Sequence, residues 1–275
     1  MNPAPIPDLY ALLEALYERY NDPSWLYPDP LVVVRRYADP ADAELAGLVA
    51  AALSLGNASL IMRAAETALA PFGPRPASAL ATMDDGAVAA ALAGFRYRFF
   101  DASDLAPFIC AARNLAADRG GLERAFLDGD DPGEPDYAVA ASRFVRALVS
   151  AAPKGLLPDR GAWRSNLFPD PARGSAAKRV FMYLRWMTRR DAVDPGHWRD
   201  ADPSRLVVPL DTHMAAACRR LGFVTRRSTD LKAAREAGAA FRAIRPDDPV
   251  RYDFCMTRPG IRPDLDPDEC FGCFH

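Results

Sequence analysis

Lysine is nearly missing from this chain. Lys154, Lys178 and Lys232 are the only three among 34 Lys plus Arg residues. A composition this biased serves purely cationic roles with arginine, which cannot shed its proton and so cannot attack carbon; a lysine can. Histidine is equally sparse at three residues. Five cysteines, an odd count without a secretion signal, read as reduced thiols. No apolar run is long enough to span a bilayer, and the opening MNPAPIPDL lacks a basic region followed by an apolar core, so no membrane association and a cytoplasmic location are expected. The net charge of −2 argues against a polycation that coats nucleic acid, although a local basic face needs only a patch. Fixed-period repeats and low-complexity tracts are absent.

Half the residues are hydrophobic and a quarter charged, the balance of a folded globular protein. Apolar positions recur at helical spacing almost everywhere, as in PDLYALLEALYERY, ADAELAGLVAAALSLG, ASLIMRAAETALAPF and YAVAASRFVRALVSAA. LVVVRRY is a short β-like run with no partner, read as an extended connection or a helix start. The expectation is an all-α protein, with residues 1–275 forming one unit.

The chemistry concentrates between Gly174 and His213. GSAAKRVFMYLRWMTRRD opens with a small-residue turn that delivers Lys178 into the first turn of an apolar-periodic helix. The partial positive charge at a helix start disfavours an ammonium there, and desolvation would disfavour it further; both favour the neutral amine that a nucleophile must be. The alternative is a solvated lysine on a helix's first turn. Downstream, VVPLDTH ends an extended run at Pro209 and places Asp211 at the start of another helix. Capping alone would explain that aspartate. A carboxylate held by backbone N–H groups also stays ionised and can oppose positive charge developing on a ligand. His213, two residues on, can orient Asp211 or a phosphate, or be structural.

Three further segments carry weaker signals. Gly56-Asn57 reads as the end of one helix and the start of the next. In FRYRFF, Arg96 and Arg98 alternate with rings, which suits a nucleic-acid backbone; the alternative is a helix start with buried aromatics and salt-bridged arginines. Cys270-x-x-Cys273 with His275, and Cys255 as a possible fourth ligand, has a metal-ligand look. Reduced thiols are the default there, so neither a metal nor another cofactor is expected.

GSAAKR with its apolar helix, LRWMTRRD and VVPLDTH, together with LVAAALSLGNASL, FRYRFF and DPVRYDF, resemble a bacterial family grouped with the HhH-GPD DNA glycosylase superfamily. The superfamily's hairpin signature LPGVG is replaced by FPDPARGSAAKR. The 33-residue separation of Lys178 from Asp211 is similar to that of the archaeal 8-oxoguanine glycosylase branch. The resemblance implies a two-lobed helical bundle around a central cleft. It also implies Lys178 as Schiff-base nucleophile, Asp211 as its assistant, and Asn57, Arg179 and His213 as substrate contacts. The implied activity is base excision with strand cleavage by elimination, on double-stranded DNA carrying a lesion. Trp186, Tyr183 and Phe99 are candidate walls for the extruded base. The alternative on the same scaffold is a non-catalytic nucleic-acid-binding protein, with Arg179, Arg189 and Arg190 on phosphates; a helical interaction protein with no nucleic-acid role is a third reading.

Overall fold

The computed structural model describes residues 6–157, 167–262 and 264–266. Helices dominate them, and no described helix is long and apolar enough to cross a membrane. The first, α1 (Ile6–Tyr20), buries Leu9, Leu13, Leu16 and Tyr20. The β-like LVVV run forms a single helical turn, α2 (Leu31–Val34), in keeping with its reading as a helix start.

The central helix is α3 (Pro40–Ala52), where every residue from Asp42 to Ala52 is buried. A helix apolar all round has to be enclosed by others, and α3 packs against α2, α4 (Ala58–Leu69), α5 (Pro76–Ala81), α7 (Ala102–Arg119) and α10 (Lys178–Thr188). Its small residues let neighbours approach closely. A Cβ at Gly47 would stand 2.9 Å from Met187 Cε and 3.4 Å from Tyr183 on α10. That contact fixes the height of α10, and with it Lys178, against α3.

Packed on α7 is α6 (Asp85–Ala91), capped by Asp84, whose side chain accepts from Ala87 N. FRYRFF departs from the helical expectation. Arg96–Tyr97 (β1) and Phe100–Asp101 (β2) form an antiparallel hairpin, with Arg98 in left-handed backbone at φ 55°. Alternating cations and rings suit a strand as well as a helix start, and no spacing rule separates the two over six residues. Phe100 is buried and Phe99 exposed. The Tyr97 hydroxyl donates to Leu55 O at 2.8 Å, which leans the hairpin on the α3–α4 junction.

The remaining helices are α8 (Leu122–Leu127), α9 (Ala138–Ala151), α11 (Thr212–Arg220), α12 (Leu231–Ile244) and α13 (Asp253–Ile261). The buried hydrophobic residues form one continuous cluster from Leu9 to Met256. Within it, α13 packs against both α1 and α11.

Candidate functional site

Lys178 is the first residue of α10. The turn before it is held from two sides. Gly174 adopts left-handed backbone at φ 83°, its carbonyl accepts from Leu231 N at 3.2 Å, and Ser175 bridges to Asp230 at the start of α12. Ala177, just ahead of Lys178, is itself left-handed at φ 42° and buried, and its carbonyl accepts from Val180 N at 2.9 Å. A non-glycine residue persists in that conformation only where its surroundings enforce it.

Asp211 arrives on a different path. Leu206 to Leu210 are buried and extended, and the chain turns into α11 with Asp211 as N-cap, accepting from Met214 N at 2.8 Å. Its second oxygen, Oδ2, lies 3.1 Å from Lys178 Nζ. Residues 33 positions apart are thus joined as an ion pair. Burial works against the Asp211 carboxylate, but the Lys178 ammonium and the Met214 N–H outweigh it, and its pKa lies below the ordinary aspartate value. The helix-start charge that disfavours an ammonium at Lys178 is therefore opposed by a carboxylate in direct contact.

The pair stands at the mouth of a cleft with a volume of about 190 Å³. That is below the roughly 300–1,000 Å³ of sites for drug-sized ligands, so it suits one small ring system. The α3–α4 junction, the start of α10, the start of α11 and the length of α13 enclose it. Exposure falls inwards: the Lys178 side chain is 34 % exposed, Asp211 18 %, Asp29 12 % and Arg258 2 %.

Asn57 and His213 both line this cleft. Asn57 also caps α4, accepting from Ser59 N and Leu60 N, so Gly56-Asn57 does restart a helix. His213 lies against α13, where a Cβ at Gly260 would come within 2.7 Å of its Nδ1. Arg179 points away from the lining: Nη1 donates to Ala52 O at 3.1 Å, and burial pushes its pKa down to about 10. It remains a cation at neutral pH and ties α10 to the end of α3.

Of the candidate ring walls, Trp186 lines the cleft. Tyr183 is instead core, stacked on Phe144, and Phe99 is exposed on the hairpin, outside the cleft lining. Arg189 cannot serve as a surface phosphate contact. It is buried, paired with Asp191 at 2.8 Å, with Asp248 at 2.9 Å and with Asp194. Arg190 is exposed.

The pattern missed a buried charge network behind the cleft. Arg185 pairs with Asp194 at 2.9 Å and with Asp253, which lines the cleft. Two guanidinium groups, Arg185 and Arg189, thus face four carboxylates. Burial, with the negative charges of Asp211 and Asp194, pushes Asp253 up to about 6 even with Arg185 beside it. The signal was present in the sequence only as arginines on a helix whose other faces are apolar.

Cys270, Cys273 and His275 lie outside the described residues. Cys255 is buried on α13, and burial pushes its thiol up to about 12. Among the described residues no group of three or more His, Cys, Asp or Glu side chains is arranged to hold a metal.

The fold and site define a helical protein with a lysine–aspartate pair at the mouth of a small cleft. Residues 29–262 match the family described as Protein of unknown function (DUF2400), and the chain belongs to that family. No curated protein and no solved structure matches it.

Proposed function

We propose that the protein is a base-excision DNA glycosylase with lyase activity, its helices arranged as the two lobes of an HhH-GPD-like bundle. The observation that carries this reading is the 3.1 Å contact between Lys178 Nζ and Asp211 Oδ2 at the mouth of the cleft. The order of elements supports it: a turn delivers a lysine at a helix start, and an N-cap aspartate returns to meet it.

The ion pair suits a stepwise reaction. With the base in the cleft, the glycosidic bond breaks and its electron pair leaves with the base. Asp211, kept ionised, opposes the positive charge that develops on the sugar. The Lys178 ammonium passes its proton, directly or through Asp211, to the departing base. The freed amine then bonds to C1′, and the proton it sheds goes to the ring oxygen as the C1′–O4′ bond breaks. The resulting Schiff base acidifies C2′, whose proton is lost to water as its electron pair forms the C2′–C3′ double bond and the 3′ phosphate leaves. Each proton and electron pair has an owner, and the amine is unmasked only when the base departs.

Borohydride reduction in the presence of an abasic or oxidised-base duplex tests the reading. A covalent protein–DNA adduct that depends on Lys178 is expected. Absence of any adduct, or an adduct that persists in Lys178→Gln, sinks it. The same ion pair favours the second reading, a non-catalytic nucleic-acid-binding protein, because an ammonium held by a carboxylate is not a nucleophile. That reading predicts steeply salt-dependent binding without product.

A further inference from the structure

Arg258, which lines the cleft, carries a donor with nothing to donate to. Arg258 is 1 % exposed, and its guanidinium is fixed on three sides. Nε donates to Phe254 O at 3.2 Å, Nη2 to Asp29 Oδ2 at 2.6 Å, and the Phe254 ring lies 3.9 Å below. Nη1 is buried without a partner. A buried unpaired N–H costs on the order of 1–3 kcal/mol, so such a group is retained where a ligand completes it.

Charge decides what kind of ligand. Three cations and three carboxylates line the cleft, and each cation has its carboxylate: Lys178 with Asp211, Arg185 with Asp253, Arg258 with Asp29. The lining is neutral overall, which suits a neutral acceptor better than an anion. Asp29 adds the complementary function. Its oxygens accept from Leu31 N at 2.9 Å and from Arg258, leaving lone pairs to accept a further N–H.

We propose that Arg258 and Asp29 read the keto face of an extruded base, Arg258 Nη1 donating to the exocyclic oxygen and Asp29 accepting from the adjacent ring N–H. The identification of the occupant as a base rests on the function proposed above. Depth sets the order of the two contacts. The sugar remains with Lys178 at the mouth, so the exocyclic group of the ring reaches innermost, where Arg258 lies deeper than Asp29. A carbonyl there accepts. An amino group would set N–H against N–H and leave both unpaired. The site therefore selects hypoxanthine-, guanine- or uracil-type bases over adenine and cytosine.

The test uses excision-resistant 2′-fluoro duplexes carrying hypoxanthine or adenine, each opposite a tetrahydrofuran so that neither base is held by pairing. Fluorescence anisotropy with the full chain should show the hypoxanthine duplex bound roughly 10-fold or more tightly. Arg258→Lys, which keeps a cation beside Asp29 but loses the fork, should abolish most of that preference, as should the apolar pair Arg258→Met with Asp29→Leu. Equal affinities in the natural protein, or a preference that survives in Arg258→Lys, overturns the assignment. Failure of borohydride trapping on an abasic duplex would count separately against the enzymatic reading, because base preference in a resistant duplex requires no chemistry.

Discussion

Trp198 Nε1 donates to Glu44 Oε1 at 2.6 Å, joining the loop after α10 to the middle of the central helix. Glu44 also accepts from Leu122 N at 3.1 Å and Glu123 N at 2.9 Å, so it caps α8 from a distance. One buried carboxylate thus secures three segments, and burial raises its pKa in spite of those donors. Glu44→Ala leaves three donors unmatched, two of them buried, and should destabilise the protein by about 2–4 kcal/mol, with Glu44→Gln losing less, as read from urea unfolding.

Asp211 combines a cap with a charge, and the two are separable. Asp211→Asn keeps a competent N-cap, so its stability should stay within about 1 kcal/mol of the natural protein, while Asp211→Ala loses about 1 kcal/mol more. If Asp211 opposes charge on the sugar as proposed, both should lower the rate of borohydride-trapped adduct formation by roughly 100-fold. If Asp211→Asn forms adduct at the natural rate, capping is the residue's whole role.

Asp253 and Asp211 should respond to pH in opposite senses. Asp253 is raised to about 6, so its contribution to stability is full below the ordinary aspartate value and is lost as pH rises through about 6. Comparing the natural protein with Asp253→Asn at pH 5 and pH 7, the advantage of the aspartate should shrink by on the order of 1 kcal/mol. Asp211 is lowered, so its contribution is present above the ordinary value and lost only as pH falls through its depressed pKa. The matching comparison with Asp211→Asn should be flat between pH 5 and pH 7. An equally flat Asp253 comparison would refute the rise that burial and the nearby Asp211 and Asp194 impose on Asp253.

Gly260 is a test of the mouth and not of the core. It is exposed, and a Cβ there would meet the His213 ring at 2.7 Å, a side chain free to rotate away. Gly260→Ala should leave the unfolding midpoint nearly unchanged and weaken duplex binding by about 3- to 10-fold as His213 is displaced. Unaltered binding would remove His213 from the contact surface.

Helices from Asp42, Ala58, Ala138 and Lys178 were legible because Ala and Leu recur at helical spacing between Asp, Asn and Gly punctuation. Asp211 as a cap was legible for the same reason, since a short acidic side chain after an extended apolar run has few other uses. The contact between Lys178 and Asp211 was not readable from periodicity, which describes one helix at a time; resemblance alone paired them. The hairpin at Arg96–Asp101 was lost because six residues cannot separate a period of two from the start of a helix. Arg258 and Asp29 carry no pattern that joins them, being 229 residues apart and individually ordinary. Arg189 misled because a cation on a helix looks solvent-bound until several carboxylates from other segments are seen around it.

The left-handed turn at Ala177 bears on how this chain tolerates change. A glycine there would relax the backbone by removing the steric penalty, about 1–3 kcal/mol for a side chain in that region. The same change would also loosen the pivot on which the lysine swings. A protein selected only for resistance to heat would accept that glycine; one selected to aim an amine would keep the methyl group.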